Sequence, residues 1–288
     1  MSEKIKRHLE AVVISDIHLG TYGCQAKQLC DYLDEIQPDT LILNGDIIDI
    51  WSFNKRYFPE HHLKVIHKLL KMATKGTKVY YLLGNHDEAL RRYADFDLGP
   101  FCIRNKLLLS INKQKVWIFH GDVFDLSIKH TKLLAKLGGK AYDLLILMNK
   151  AVNYFLELMG KEKYSLSKKI KNSIKKAVQF IDDFEETAIS HGLAKDYDVV
   201  ICGHIHNPVI RQIDRDGKTI TYMNSGDWIE HMTSLEYHHG KWSLHKHEYV
   251  PVIKGQKDSL LEKDFKENIR IPKMKELYED IIFNSGYR

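Results

Sequence analysis

Apolar residues along this chain come in short unbroken runs that end on acids, histidines or asparagine. In TLILNGDIIDIW, Thr40 to Trp51, the first four positions are apolar or β-branched without alternation, which predicts a strand covered on both faces. Gly45 then permits a tight turn, and Asp46 and Asp49 stand at the strand tip. Four other runs end alike: VVISDIH on Asp16 and His18, YYLLGNHD on Asn85 and His86, VWIFHGD on His120, and VVICGHIH on His204 and His206.

In order, the pattern predicts strands at 11–15, 40–43 and 78–83, with amphipathic helices between them over Cys24 to Ile36 and Pro59 to Lys75. Strands alternating with such helices are parallel βαβ units, whose ligands lie beyond the strand C-termini. A hairpin follows, Lys106 to Ile111 and Lys115 to Phe119. A strand-free segment then runs from about 125 to 195, and the sheet resumes at Asp198 to Cys202. The remaining strands, Pro208 to Ile213, Thr219 to Met223, Ser234 to Tyr237 and Trp242 to Lys246, read as an antiparallel meander. The expected fold is α/β: two mixed sheets packed face to face, flanked by helices. Residues 1–124 and 196–250 form the core, 125–195 a helical insertion or cap, and 251–288 a charged tail with a short helix over Lys273 to Phe283.

Charge alters this picture in one place. The 288 residues carry +5 overall, but twelve Lys against three acids give +9 between Ser127 and Lys176. Within that segment Ala141 to Gly160 is apolar yet interrupted by Asp143, Lys150 and Glu157, too broken to span a bilayer. An apolar helix beside a Lys-rich one suits an acyl-chain cap, with Leu145, Met148 and Phe155 as candidate contacts, or an anchor on an anionic membrane surface. Two ordinary helices packed on each other account for it equally well. No run is long enough for a signal peptide or a membrane span, which predicts a cytoplasmic protein, peripheral at most on the inner face of the membrane. Cys24, Cys30, Cys102 and Cys202 lack metal or disulfide spacing and read as reduced thiols. The basic excess lies among aliphatic rather than aromatic residues, so no nucleic-acid partner is expected.

The ligand types at the strand ends define the chemistry. Asp, His and Asn without Cys suit divalent ions such as Mn²⁺, Fe²⁺, Zn²⁺ or Co²⁺. Asp16, His18, Asp46, Asn85, His120, His204 and His206 are too many for one ion with an open position. They suffice for two ions sharing a carboxylate, with Asp46 as the natural bridge. Each residue singly fits an ordinary core or turn role; their recurrence at five strand ends does not.

The ordered set DIH (16–18), GDIID (45–49), GNHD (84–87), HGD (120–122) and GHIH (203–206) resembles the signature of the calcineurin-like metallophosphoesterases. The resemblance implies a β-sandwich flanked by helices and a dinuclear hydrolase, with manganese the leading expectation for the metal. It implies one ion held by Asp16, His18, Asp46 and His206, and the other by Asp46, Asn85, His120 and His204. It further implies that His86 protonates the leaving group or steadies the transition state, with Asp87 orienting it. NSGDWIEH at 224–231, GHIHNP and the insertion are similar to the UDP-2,3-diacylglucosamine diphosphatases of lipid A synthesis, whose best-known branch has Arg at the position of His86. That similarity implies cleavage of a UDP-linked lipid to UMP and 2,3-diacylglucosamine 1-phosphate. The alternatives are another nucleotide or phosphodiester substrate, or a non-catalytic membrane-associated scaffold.

Overall fold

The computed structural model describes residues 6–50, 58–124 and 167–248. Its strands are β1 (Arg7–Ile14), β2 (Ile36–Asn44), β3 (Lys78–Leu82), β4 (Asp97–Leu98), β5 (Phe101–Arg104), β6 (Lys106–Ile111), β7 (Gln114–Phe119), β8 (Val199–Cys202), β9 (Val209–Arg215), β10 (Lys218–Asn224), β11 (Thr233–His238) and β12 (Lys241–Lys246). The helices are α1 (Ala26–Glu35), α2 (Glu60–Thr74) and α3 (Ser167–Ala194). A seven-stranded sheet runs β12-β11-β1-β2-β3-β5-β4 and a five-stranded sheet β6-β7-β8-β10-β9. Strands β1, β2, β3 and β5 are mutually parallel, as are β7, β8 and β10, and the outer strands are antiparallel.

The unbroken apolar runs are explained by four layers. Because side chains alternate across a strand, Val12 and Ile14 of β1 and Leu41 and Leu43 of β2 face a core shared with Leu29, Leu33 and Val65 of α1 and α2. Their neighbours Val13 and Ile42 join Val116, Ile118, Val199 and Ile201 in the core between the sheets. Beyond the second sheet, Trp117, Phe119, Val200, Cys202 and Tyr222 pack on Phe184, Ala188 and Ile189 of α3. The order helix, sheet, sheet, helix is the expected sandwich. Across the seven-stranded sheet, Arg7 donates two hydrogen bonds to Glu236, whose Oε1 also accepts from Tyr32.

Two expectations need correction and one hairpin was missed. The last four strands are not one meander: β9 and β10 belong to the five-stranded sheet and β11 and β12 to the other, with β10 parallel to β8. Local alternation fixes which residues face inward but not which sheet a strand joins. The short β4–β5 hairpin escaped notice, since it is two and four residues long. The end of α3 is an outer layer of the sandwich, so core packing resumes before residue 196. The residues named for the cap, Leu145, Met148 and Phe155, lie outside the described residues, as do the rest of 125–166 and the tail. Among the described residues no helix is long and apolar enough to cross a membrane.

Phe184 is fully buried and stacks near both Phe124 and His204. Phe184→Ala is therefore expected to cost about 3–5 kcal/mol of stability, the usual range for a buried phenylalanine; urea denaturation measures it.

Candidate metal centre

Both sheets deliver their C-terminal strand ends to one place. β1, β2 and β3 are followed by Asp16 and His18, Asp46, and Asn85 and His86; β7 and β8 by His120, and His204 and His206. The loops are tied across the sandwich. Asn44 Nδ2 donates to the Phe119 carbonyl (3.1 Å), and His120 Nδ1 donates back to the Asn44 carbonyl (2.9 Å). The His204 N–H donates to Asp16 Oδ2 (3.0 Å), the His86 N–H to Asp46 Oδ1 (2.8 Å) and the Gly203 N–H to the His120 carbonyl (2.9 Å).

Five of the seven expected ligands have left-handed backbones: Asp16, His18, Asp46, His204 and His206, with φ between +51° and +68°. Each such non-glycine residue costs on the order of 1 kcal/mol or more and persists only where its surroundings enforce it. The neighbouring glycines make this arrangement possible. A Cβ on Gly84 would sit 2.2 Å from Asp46 Oδ1, and one on Gly45, itself at φ +81°, would sit 2.3 Å from His120 Nδ1.

Ligand atoms converge in overlapping groups: Asp16, His18 and His206; Asp46, His120 and His204; and His18, Asp46 and His86. Asp46 Oδ2 lies 3.2 Å from His120 Nε2 and 3.9 Å from His18 Nε2, and Asp16 Oδ1 lies 3.1 Å from His206 Nε2. Asp16 Oδ1, His18 Nε2 and His120 Nε2 are nonetheless buried without a properly aligned hydrogen bond. Buried polar atoms normally find partners, and these face one another across a gap whose donor set of imidazole and carboxylate fits divalent ions. The bond from His120 Nδ1 to Asn44 fixes the tautomer that leaves its Nε2 lone pair for such an ion.

The electrostatics agree with a site built for positive charge. Burial alone would raise the Asp16 carboxyl, but His206 and His120 beside it outweigh that and bring it down to about 2. Asp46 is likewise held well below the usual carboxylate range, burial being overcome by His120 and His18. His206 moves oppositely, to about 9: burial lowers it, and Asp16 more than compensates.

His86 adjoins His18 and Asp46, with a third of its side chain exposed, as for His206, and Nδ1 3.0 Å from Asp49 Oδ2. The same Asp49 oxygen lies 3.3 Å from His18 Nδ1. Orientation of His86 thus falls to Asp49, which contradicts the expectation for Asp87. The fully buried Asp87 carboxylate instead accepts hydrogen bonds from Tyr81 Oη, the Gly84 N–H and the Ile47 N–H, bracing the GNHD loop from behind. Burial, with Asp46 nearby, pushes the Asp87 carboxyl up.

Two further supports were not identified from the sequence. Asp227 Oδ1 accepts the N–H groups of Ile229, Glu230 and His231, and its Oδ2 lies 3.8 Å from His206 Nδ1. Glu185, buried on α3, accepts from Asn207 Nδ2 and Arg211 just after the GHIH loop. The GDW tripeptide after β10 offered a signal for Asp227; one acid among four in the helical run IDDFEE offered none for Glu185.

A dense set of carboxylates and imidazoles at the C-terminal ends of two packed sheets offers sites for divalent ions, and together with the family match over residues 10–208 it marks a phosphoesterase, a hydrolase. Residues 10–208 match the family of calcineurin-like phosphoesterases, and the chain belongs to that family. Its members use a dinuclear metal centre, and the His and Asp groups above are candidates to hold it. The chain is 25% identical over 241 residues to a UDP-2,3-diacylglucosamine hydrolase of Aliivibrio fischeri, covering 82% of this chain and 98% of that protein. It is 26% identical over 226 residues to one of Chromohalobacter salexigens, covering 76% and 89%. Among solved structures it is similar to Yfce, a phosphoesterase from E. coli, at 14% identity and a TM-score of 0.40 over 83% of this chain and 99% of that one.

Gly84→Ala tests the packing of the site. The added methyl should displace Asp46 and lower metal affinity by about 10–100-fold, the range seen when a ligand's support is lost, with little change in far-UV circular dichroism; elemental analysis after dialysis reports it.

Proposed function

We propose that this protein hydrolyses the pyrophosphate of UDP-2,3-diacylglucosamine, giving UMP and 2,3-diacylglucosamine 1-phosphate. The observation that carries this reading is the similarity to the Aliivibrio hydrolase, which extends over 82% of this chain and 98% of that protein. Asp16, His18, Asp46 and His206 would hold one ion and Asp46, Asn85, His120 and His204 the other. Mn²⁺ is the ion we assign, on the mixed oxygen and imidazole donors.

Bound there, two divalent ions supply positive charge for the phosphate oxygens and make water a better nucleophile near neutral pH. The chain does the remaining work. Asp49 holds His86 by Nδ1, which leaves Nε2 to donate a proton to the departing phosphate oxygen. Asp46 orders the same loop by accepting the His86 N–H, so ligand and acid are positioned together.

The part of 125–195 that precedes the α3 residues packed on the second sheet would select a lipid, with Leu145, Met148 and Phe155 the side chains offered to the acyl chains. Each methylene they shield adds about 0.8 kcal/mol, a preference the metal centre alone has no means of providing. The lysines from 161 to 176 favour an anionic surface, which suits a cytoplasmic enzyme resting on the inner face of the membrane. A second reading, a different phosphodiester substrate, is favoured by His86 itself, since the best-known diphosphatase branch carries Arg there.

The test is product release by Mn²⁺-loaded protein from UDP-2,3-diacylglucosamine, ADP-ribose and cyclic AMP. UMP should appear fastest, and His86→Ala should lower turnover by roughly 10²–10⁴-fold with metal content intact. Preference for ADP-ribose or cyclic AMP would favour the second reading.

A further inference from the structure

A second cluster of metal-ligating side chains lies at the other end of the seven-stranded sheet. We propose that Glu10, His238 and His239 form a separate surface site for a borderline divalent transition ion such as Ni²⁺ or Zn²⁺. One ligand atom from each residue lies within 4.8 Å of the others.

The fold brings the three together. β1 and β11 are antiparallel with Ala11 opposite Tyr237, which sets Glu10 beside His238 at the end of β11. Six steps of chain, mostly along β1, lead from Glu10 to Asp16, about 20 Å at strand rise, so the cluster is remote from the metal centre.

The turn itself points to a ligand role. β11 and β12 are joined by His239 and Gly240, at φ +48° and +76°. A two-residue hairpin loop with both φ positive is of type I′, which strongly favours Asn-Gly. Histidine at the first position gives up that preference and projects an imidazole beside that of His238, the ring centroids 3.8 Å apart. Glu10 Oε1 accepts the His239 N–H (2.8 Å), which fixes the carboxylate at the turn. His238 Nδ1 is shielded from solvent and makes no hydrogen bond. Two imidazoles and one carboxylate with open positions form a donor set for Ni²⁺, Cu²⁺ or Zn²⁺, and Mn²⁺ is the weakest binder of that series. An ion there would clip the edge hairpin to β1.

The experiment is calorimetric titration of the Mn²⁺-loaded full chain with Ni²⁺, comparing wild type with His239→Asn and Glu10→Gln. His239→Asn restores the preferred Asn-Gly turn, so it removes a ligand without unfolding the hairpin. Any exchange at the metal centre is common to all three proteins and cancels in the comparison. Wild type should take up one Ni²⁺ per chain more than His239→Asn, and Glu10→Gln should bind that ion at least about tenfold more weakly. Equal uptake and affinity in all three proteins would overturn the proposal. Phosphoesterase activity should be the same in all three, whatever the substrate.

Discussion

Two carboxylates removed from water, Asp16 and Asp46, set the terms for everything around them. A buried carboxylate stays ionised only if positive charge and hydrogen-bond donors surround it. Here they come from both sheets: the amides of His86 and His204, and the imidazoles of His18, His120 and His206. The sandwich is what lets two sheets contribute to one gap. Without the second sheet, Asp46 would have no His120 and Asp16 no His206. The histidines are too few and too poorly aligned to satisfy every oxygen, and that shortfall is what a pair of divalent ions would fill.

The same constraint reaches the backbone. Left-handed residues at Asp16, His18, Asp46, His204 and His206 turn the chain back over the strand ends; the first four are held by cross-loop hydrogen bonds of their backbone, and His206 by the contact of its ring with Asp16. The His18 N–H donates to the Asp46 carbonyl (2.9 Å) and the Asp16 N–H to the Gly45 carbonyl (3.1 Å), so the first two motifs are mutually supporting. Gly84 and Gly45 leave the volume that the Asp46 and His120 side chains occupy. Strain persists at the candidate ligands only because the fold enforces it, and His86 and His206 each leave about a third of the side chain exposed.

Much of this was legible in the sequence because the physics is local. Runs such as VVISD and TLILN have no polar face, so they belong inside a double layer, and both supply residues to two cores. Five runs ending in metal-type ligands foretold the convergence, because parallel strands put their C-termini at one edge. What escaped depends on contacts between distant segments. The resemblance implied Asp87, the next residue in the chain, as the partner of His86, and only the fold turns Asp87 inward to Tyr81 and Asp49 toward the ring. Assignment of β9 to β12 between sheets and the role of Glu185 likewise require knowing which surfaces meet.

The most direct measurement of the central claim is the metal content of Asp46→Ala beside wild type, by elemental analysis of protein loaded with Mn²⁺ and freed of excess ion. If Asp46 bridges a pair, wild type should hold two ions per chain and the variant fewer than one, the two being lost together. Two ions retained by Asp46→Ala would contradict the account.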